Sequence, residues 1–373
     1  MSIYNHSMKV LLISLLKRSV TPTVTASRPR MIYELAKGLI AKGHEVTLVG
    51  TEDSQIPGAK IVGIIPKSFT QLPPFENPFY AETSYLVQLA KKVQTMASEY
   101  DIIHNHTYPE FINLMVSEEI QTPMVTTLHA QATPEFDAAL GMFPKAHLVS
   151  ISQAHRKGFQ NSPIDKVIYN GIDTNLYAFE AQKDDYLLWV GRLGKAKNDD
   201  GTFMDAKGVR WAIKLATESG QKLKLTGNVE DKEFFERDVK PHLNDKITWV
   251  GEVSGEQPLS KQEIVGLMQK AKAFLMTINW QEPFGLVMAE AMSCGTPIIG
   301  FDRGSVREVV VDGKTGFVVD PQEGVEGLKK ALGKLPALSS QDCRDHVVTH
   351  FSIETMITNY EKEYQDIIAS KPR

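Results

Sequence analysis

The feature that most limits the fold of this chain is a repeated switch between short apolar runs and longer stretches of helical period. Apolar runs occupy 10–16, 45–49, 60–64, 101–104, 124–129 and 147–151, with helical stretches such as 30–42 and 82–98 between them. A second series follows at 186–190, 222–226, 247–250, 273–276, 297–300 and 316–319, separated by helical stretches near 207–218, 261–272, 284–294 and 325–335. Runs this short and this apolar suit strands covered on both faces, as in a parallel sheet wrapped by helices. The alternation therefore predicts an α/β protein built from two Rossmann-like β/α/β domains. A chain of 373 residues is also too long for one ordinary hydrophobic core.

Asn170-Gly171 is a strong turn signal, and a polar stretch follows it to Asp185. This places a linker at about 170–184, between a first domain over 1–170 and a second over 185–352. The polar segment 194–206 (GKAKNDDGTFMDA) interrupts the second domain after its first strand and reads as a mobile loop. Residues 353–370 carry an amphipathic helical pattern, and residues 1–7 read as a disordered leader.

Charge and cysteine usage exclude several classes of function. The net charge is −4 and the basic residues are scattered, so no chain-wide basic field draws in nucleic acid or an acidic membrane. Cys294 and Cys343 form no C-x-x-C pair and suggest neither a disulfide framework nor a zinc site. The run at 10–16 is far too short for a membrane span. Lys17-Arg18 stands where a signal peptide would need small residues, so the run is a buried strand and a cytoplasmic enzyme is expected. No G-x-G-x-x-G occurs, which argues against a nicotinamide or flavin enzyme.

The strongest local signal runs from Asn279 to Asp320. Pro283 and Gly285 break the chain just before a helix-forming stretch. The amides of Gly285, Leu286 and Val287 then fall in the first helical turn, where backbone donors lack helical acceptors. Such an end attracts phosphate through those donors and the helix dipole. Glu282 lies in the loop before the helix, and Glu290 about one turn inside it, leaning back toward the start. Carboxylates only accept hydrogen bonds, which suits pairs of sugar hydroxyls. Acceptors flanking a ring of amide donors fit a ligand with hydroxyls at both ends and phosphates between them, as in a nucleotide diphosphate sugar.

The stretch Glu282-P-F-G-L-V-M-A-Glu290 resembles the E-x7-E signature of the family 4 glycosyltransferases, and the likeness continues through A-M-S-C-G-T-P-I-I, R-G-S-V-R-E and D-G-K-T-G-F-V-V-D. The resemblance implies the GT-B architecture, two Rossmann-like domains facing across a cleft, with the last helix crossing back to the first domain. It implies that Glu282 holds hydroxyls of the transferred sugar and Glu290 the nucleotide ribose. The amides of Phe284, Gly285, Leu286 and Val287 would hold the diphosphate and sugar.

Arg192 ends the strand Leu187-Leu188-Trp189-Val190-Gly191-Arg192-Leu193, and Lys207-Gly208-Val209 opens a helical stretch. An Arg/Lys pair stabilises a leaving diphosphate without a metal, and the two resemble the family's G-R-L…K-G element. The segment between them is longer than the family's, which leaves Lys195 and Lys197 as alternatives to Lys207. His129 ends the run at 124–129, and the family carries a similar histidine beside the donor sugar. Asp101-Ile-Ile-His104-Asn-His106 is similar to the family's D-x-x-H-x-H; we read His106 as lining the acceptor side and His104 as core. Gly227 and the 251–253 segment, ending at Val253, resemble positions where the family seats the base.

The N-terminal loop departs from the family. Ala26-Ser27 stands where Gly-Gly is common, followed by Arg28-Pro29-Arg30. Ser27 is a candidate cap and Pro29 suits an early helical position. Arg28 is a candidate acceptor-side contact for an anionic group, although an exposed charge is the simpler reading.

The expected activity is retaining transfer of a hexose, from a UDP-hexose such as UDP-glucose, to a hydroxyl of a small soluble or saccharide acceptor. No D-x-D triplet occurs, so no metal clamp and no cofactor are expected. Nucleotide-sugar epimerase, phosphorylase and non-catalytic nucleotide-sugar binding are the alternatives on the same fold.

Overall fold

The computed structural model describes residues 7–253 and 259–370. The leader expected at 1–7 lies, except for Ser7, outside the described residues. The chain divides into two compact units. The first runs to Gly171 and resumes at Ile353; the second is Ile172–Ser352.

The first unit contains, in chain order, β1 (Lys9–Ile13), α1 (Ser27–Ala41), β2 (Glu45–Thr51), β3 (Lys60–Ile65), α2 (Pro78–Met96), β4 (Ile102–Asn105) and α3 (Phe111–Ser117). Then come β5 (Met124–Leu128), α4 (Pro134–Gly141), β6 (His147–Ser150), α5 (Gln153–Lys157) and β7 (Ile164–Val167). The strands form one sheet in the order β3-β2-β1-β4-β5-β6-β7, and every pairing is parallel. From β1 onward the central strands are buried nearly end to end, because helices cover both faces and leave no side for water. Leu86, Leu89 and Val93 of α2 pack over Leu11, Ile13 and Val49 of the sheet. The apolar pattern of this unit ends at 147–151, yet β7 follows. Its Ile164-Asp-Lys-Val167 is only partly buried at the sheet edge, so it carries no continuous apolar run.

The second unit contains β8 (Leu187–Leu193), α6 (Val209–Ser219), β9 (Leu223–Val229), α7 (Lys232–Asp238), β10 (Ile247–Trp249), α8 (Lys261–Lys270) and β11 (Ala273–Met276). These are followed by α9 (Leu286–Ser293), β12 (Ile298–Phe301), α10 (Val306–Val309), β13 (Gly316–Val319), α11 (Gly324–Lys334) and α12 (Ser340–His350). Its strands run parallel in the order β10-β9-β8-β11-β12-β13. The amphipathic C-terminal segment is α13 (Ile353–Ala369), which belongs to the first unit and packs on α1.

Both sheets are doubly wound. The chain builds outward from β1 in one direction and then from β4 in the other; in the second unit the reversal falls between β8 and β11. In open α/β sheets the loops at such a reversal part, and ligands bind beyond the carboxyl ends of those strands. The structure therefore marks one such place in each unit.

The segment 194–206 does not behave as a loose loop. Lys197 and Phe203 form an antiparallel bridge. The Phe203 ring is fully buried and stacks on Phe234, with centroids 5.0 Å apart and an interplanar angle of 8°. At its end, the Asp205 carboxylate caps α6 by accepting the amides of Val209 and Arg210, both at 2.9 Å. One aromatic ring in a polar stretch anchors the whole segment, and composition alone hid it. Among the described residues, no helix is long and apolar enough to cross a membrane.

Candidate active site

In the second unit, the β8–β11 reversal gathers most of the residues singled out by sequence. Thr277 follows β11 and donates through Oγ1 to the Gly208 carbonyl at 2.7 Å. Two residues on, Asn279 is tied to the 205–207 segment twice: its amide donates to Ala206 O at 2.9 Å and its Nδ2 to Asp205 O at 2.7 Å. Trp189 Nε1 donates to Lys207 O at 2.9 Å. These bonds hold the backbone of Lys207 against the loop that carries Glu282.

The side chains then meet. Lys207 Nζ donates to Glu282 Oε2 at 2.8 Å, with the lysine side chain 27% exposed and the glutamate 12%. Of the three candidate lysines, Lys207 is the one that makes this contact. Lys197 instead pairs with Glu233 at 2.8 Å and lies over the Phe203 ring, and Lys195 takes no part in the Glu282 contact. Lys207 sits just ahead of α6, whose cap is Gly208, rather than inside the helix.

The Glu282 loop is braced from behind. Ser305 donates its amide to Glu282 O at 2.9 Å and its hydroxyl to Phe284 O at 2.7 Å, and Gly304 N donates to Gln281 Oε1 at 2.6 Å. Gly285 then starts α9 in the left-handed region, at φ 76°, which a side chain would make costly. A Cβ placed there would also lie 3.2 Å from Glu282 Cγ, so the glutamate side chain lies directly against the helix start. Leu286 and Val287 occupy the first turn, whose amides have no acceptor within the helix. Phe284, just ahead, is buried against Phe351 with ring centroids 5.7 Å apart.

Glu290 is only 4% exposed, and its Oε1 accepts the Tyr177 hydroxyl at 2.8 Å. The sequence pointed to Glu290 but not to Tyr177, which lies 113 residues earlier. Arg192, at the end of β8, stands apart from the Lys207–Glu282 pair. Its side chain is 60% exposed and reaches Glu230 Oε1 at 3.3 Å. Gly227 is not beyond a strand end but within β9, paired with Gly191 of β8. A Cβ there would fall 1.7 Å from the Gly191 carbonyl oxygen, so the glycine keeps two backbones close. Val253 is half-buried against the hydrophobic core of the unit.

The β1–β4 reversal of the first unit holds a different group. His106 follows β4, and its amide donates to Ile13 O at 2.9 Å. His106 Nδ1 and His129 Nε2 share a hydrogen bond of 3.0 Å. His104, assigned to the core, is fully buried and hydrogen-bonded to Tyr364 OH and to Thr127 Oγ1, at 2.6 and 2.7 Å. His106 is 2% exposed, and its Nε2 has no hydrogen-bond partner. Burial, assisted by the Arg28 charge, pushes His106 down to about 3. The same causes, with the neighbouring histidines, hold His129 well below the ordinary imidazole value. Both rings are therefore neutral near pH 7, and the bond between them is one N–H donating to one bare nitrogen.

Two expectations for the N-terminal loop are corrected. Ser27 makes no cap; it is the first residue of α1, after Ala26 as N-cap, and no side-chain capping bond forms. Arg28 is not an exposed charge. Its Nη1 donates to Thr107 O at 2.6 Å and its Nη2 to Glu110 Oε1 at 2.8 Å, while the guanidinium lies over the Tyr108 ring. Burial lowers the Arg28 value, against the opposing pull of Glu110. The arginine is thus spent within the protein, on the loop that also supports His129, whose amide approaches Glu110 Oε1 at 3.5 Å. Among the described residues, no group of three His, Cys, Asp or Glu side chains is placed to hold a metal ion.

Comparisons with known proteins bear on the family and the fold. Residues 178–345 match the family model described as glycosyl transferases group 1, and residues 29–176 match that of glycosyltransferase family 4. The chain is 24% identical to N-acetyl-alpha-D-glucosaminyl L-malate synthase of Bacillus anthracis, over 90% of this chain and 92% of that protein. It is likewise 24% identical to glycogen synthase of Mycobacterium tuberculosis, over 92% of each. Among solved structures, sucrose-phosphate synthase from Thermosynechococcus elongatus superimposes with a TM-score of 0.75 at 17% identity, over 98% of this chain and 100% of that chain. HepE from Anabaena, in complex with UDP and glucose, gives 0.70 at 18% identity, over 96% and 100%.

Proposed function

The chain belongs to the family 4 glycosyltransferases, and from that premise we propose that it transfers a hexose from a UDP-hexose such as UDP-glucose, with retention and without a metal, to a hydroxyl of a small soluble or saccharide acceptor. The observation that carries this reading is the sequence of contacts from Lys207 to the start of α9: the ammonium pairs with the Glu282 carboxylate, and the Glu282 side chain lies against Gly285, where the first-turn amides begin. A phosphate needs the first and third, and a sugar hydroxyl needs the second.

The diphosphate docks on the amides of Gly285 to Val287, where donors and helix dipole favour negative charge without rearrangement. Lys207 turns from Glu282 to the phosphates, and Arg192, exposed and reaching Glu230 at 3.3 Å, joins it. Glu282 is released to accept hydroxyls of the hexose. Glu290 accepts a ribose hydroxyl. As the anomeric bond breaks, charge accumulates on the leaving phosphate oxygen, where Lys207, Arg192 and the amides offset it. The acceptor attacks from the same face and passes its proton to that oxygen. The first unit takes the acceptor; its neutral His106–His129 pair offers hydrogen bonds and no net charge, which suits a hydroxyl compound. HepE, seen with UDP and glucose, supports the choice of uridine donor.

The test is a panel of nucleotide sugars scored by thermal shift and by mass spectrometry of released nucleotide, with and without a chelator. The product anomer is then read by NMR. A UDP-hexose should give the largest shift, chelator should change nothing, and the anomer should match that of the donor. Activity that vanishes with chelator, or an inverted anomer, would rule out metal-free retention.

A further inference from the structure

Trp280 has no part in the steps above, yet it sits at their centre. Its indole Nε1 donates to Glu282 Oε2 at 3.1 Å. That is the same oxygen that takes the Lys207 ammonium, and the ammonium lies 4.5 Å from the centre of the Trp280 ring. Lys207, Trp280 and Glu282 thus each touch the other two. Both donors converge on Oε2, and Oε1 takes no hydrogen bond from any described residue. A carboxylate offers lone pairs on both oxygens, so this arrangement decides which oxygen is left for a ligand.

We propose that Trp280 is the positioning residue of the sugar site: its N–H anchors Glu282 Oε2 so that Oε1 is the oxygen presented to the hexose hydroxyls. The need for a second anchor follows from the charge exchange. When a diphosphate draws the ammonium away, the ion pair can no longer hold the carboxylate, and a side chain with free torsions loses its aim. The indole N–H is uncharged and is not drawn to phosphate. It keeps Oε2 in place while Lys207 moves, and the ring face stays available to the ammonium in both positions. The residues that brace the backbone around it, Asn279 through Asp205 and Ala206, and Gln281 through Gly304, keep the indole from following the lysine.

This inference rests on the proposed contact between Glu282 and the sugar, and the experiment separates the two. W280F removes the N–H and keeps an aromatic face for Lys207. Binding of UDP and of UDP-glucose is measured by calorimetry, and kcat/KM is compared for UDP-glucose and UDP-galactose. W280F should bind UDP within about twofold of the unaltered protein. It should lose about tenfold in kcat/KM with UDP-glucose, the scale of one hydrogen bond to a charged group, and part of its preference between the two hexoses. Equal losses for UDP and UDP-glucose, including outright failure to bind either, would show a merely structural tryptophan and overturn the proposal, as would no loss at all. E282A is run beside it. If E282A keeps full hexose preference, the sugar contact of Glu282 is itself wrong. If E282A abolishes the preference and W280F leaves it intact, only the role of Trp280 falls.

Discussion

The two sheet reversals occupy the same topological place in their units and have opposite electrostatics. At the β8–β11 reversal, charges are kept: Lys207 against Glu282, and Arg192 against Glu230, all with side chains partly open to solvent. At the β1–β4 reversal, the titratable groups include histidines that burial holds neutral, and the Arg28 cation is closed off by Glu110 and Thr107. Paired charges that keep some solvent exposure can exchange a protein partner for a ligand at modest cost. A buried, mutually bonded neutral pair offers direction without attraction. The difference teaches that one fold plan can serve an anionic ligand at one reversal and an uncharged one at the other, by choosing whether a cation is left exchangeable.

The sharpest way to break this contrast is Glu282→Ala. Loss of the carboxylate should lower kcat/KM with a UDP-hexose by roughly 10³-fold, the scale of a group acting on the reacting centre, with little change in UDP affinity. Near-wild-type turnover would remove Glu282 from the chemistry. Next in size, Phe203→Ala should cost about 3 kcal/mol of unfolding free energy in denaturant titration. That would show that the 194–206 segment is fastened to the core rather than mobile; a cost near zero would restore the loose-loop view. Lys207→Met should reduce turnover by about 10²-fold and weaken UDP binding too, while Lys197→Met leaves both unchanged. Equal effects of the two would break the assignment drawn from the Glu282 contact. Glu290→Ala should weaken UDP binding about tenfold, near 1.4 kcal/mol, measured by calorimetry, and full retained affinity would refute the ribose contact.

The smallest effect concerns the neutral side. A buried imidazole whose folded value is about 3, against an ordinary 6.5, contributes stability above 6.5. That stability is lost as pH falls from 6.5 toward 3, because only the unfolded chain takes up the proton. Between pH 7 and 5.5, His106 should cost about 1 kcal/mol of stability. His106→Gln should flatten the fall by about that amount in pH-dependent thermal unfolding. An unchanged slope would mean that His106 is not held neutral.

Much of the donor end was legible in the sequence because it is local. Pro283, Gly285 and the apolar run after them specify a loop and a helix start within a dozen residues, with Glu282 in that loop and Glu290 placed by helical spacing. The strands were equally legible where they are buried on both faces, and β7 was missed where an edge position relaxes that demand. The 194–206 segment misled because one buried phenylalanine outweighs its polar neighbours, and composition averages that away. Arg28 misled for a related reason: a short-range view shows an arginine near a helix start, and its partner Glu110 lies 82 residues on.

The sequence by itself determined the alternation of strands and helices, the two-unit α/β plan and the phosphate-ready start of α9, since each follows from periodicity or from backbone preferences acting over a few residues. Only the tertiary structure decided the partners. It chose Lys207 over Lys195 and Lys197 for Glu282, set Tyr177 on Glu290 and Trp280 Nε1 on Oε2, and sealed Arg28 with Glu110. Such choices depend on which loops a sheet reversal brings together and on how much water remains around each charge, and neither quantity exists until the chain has folded.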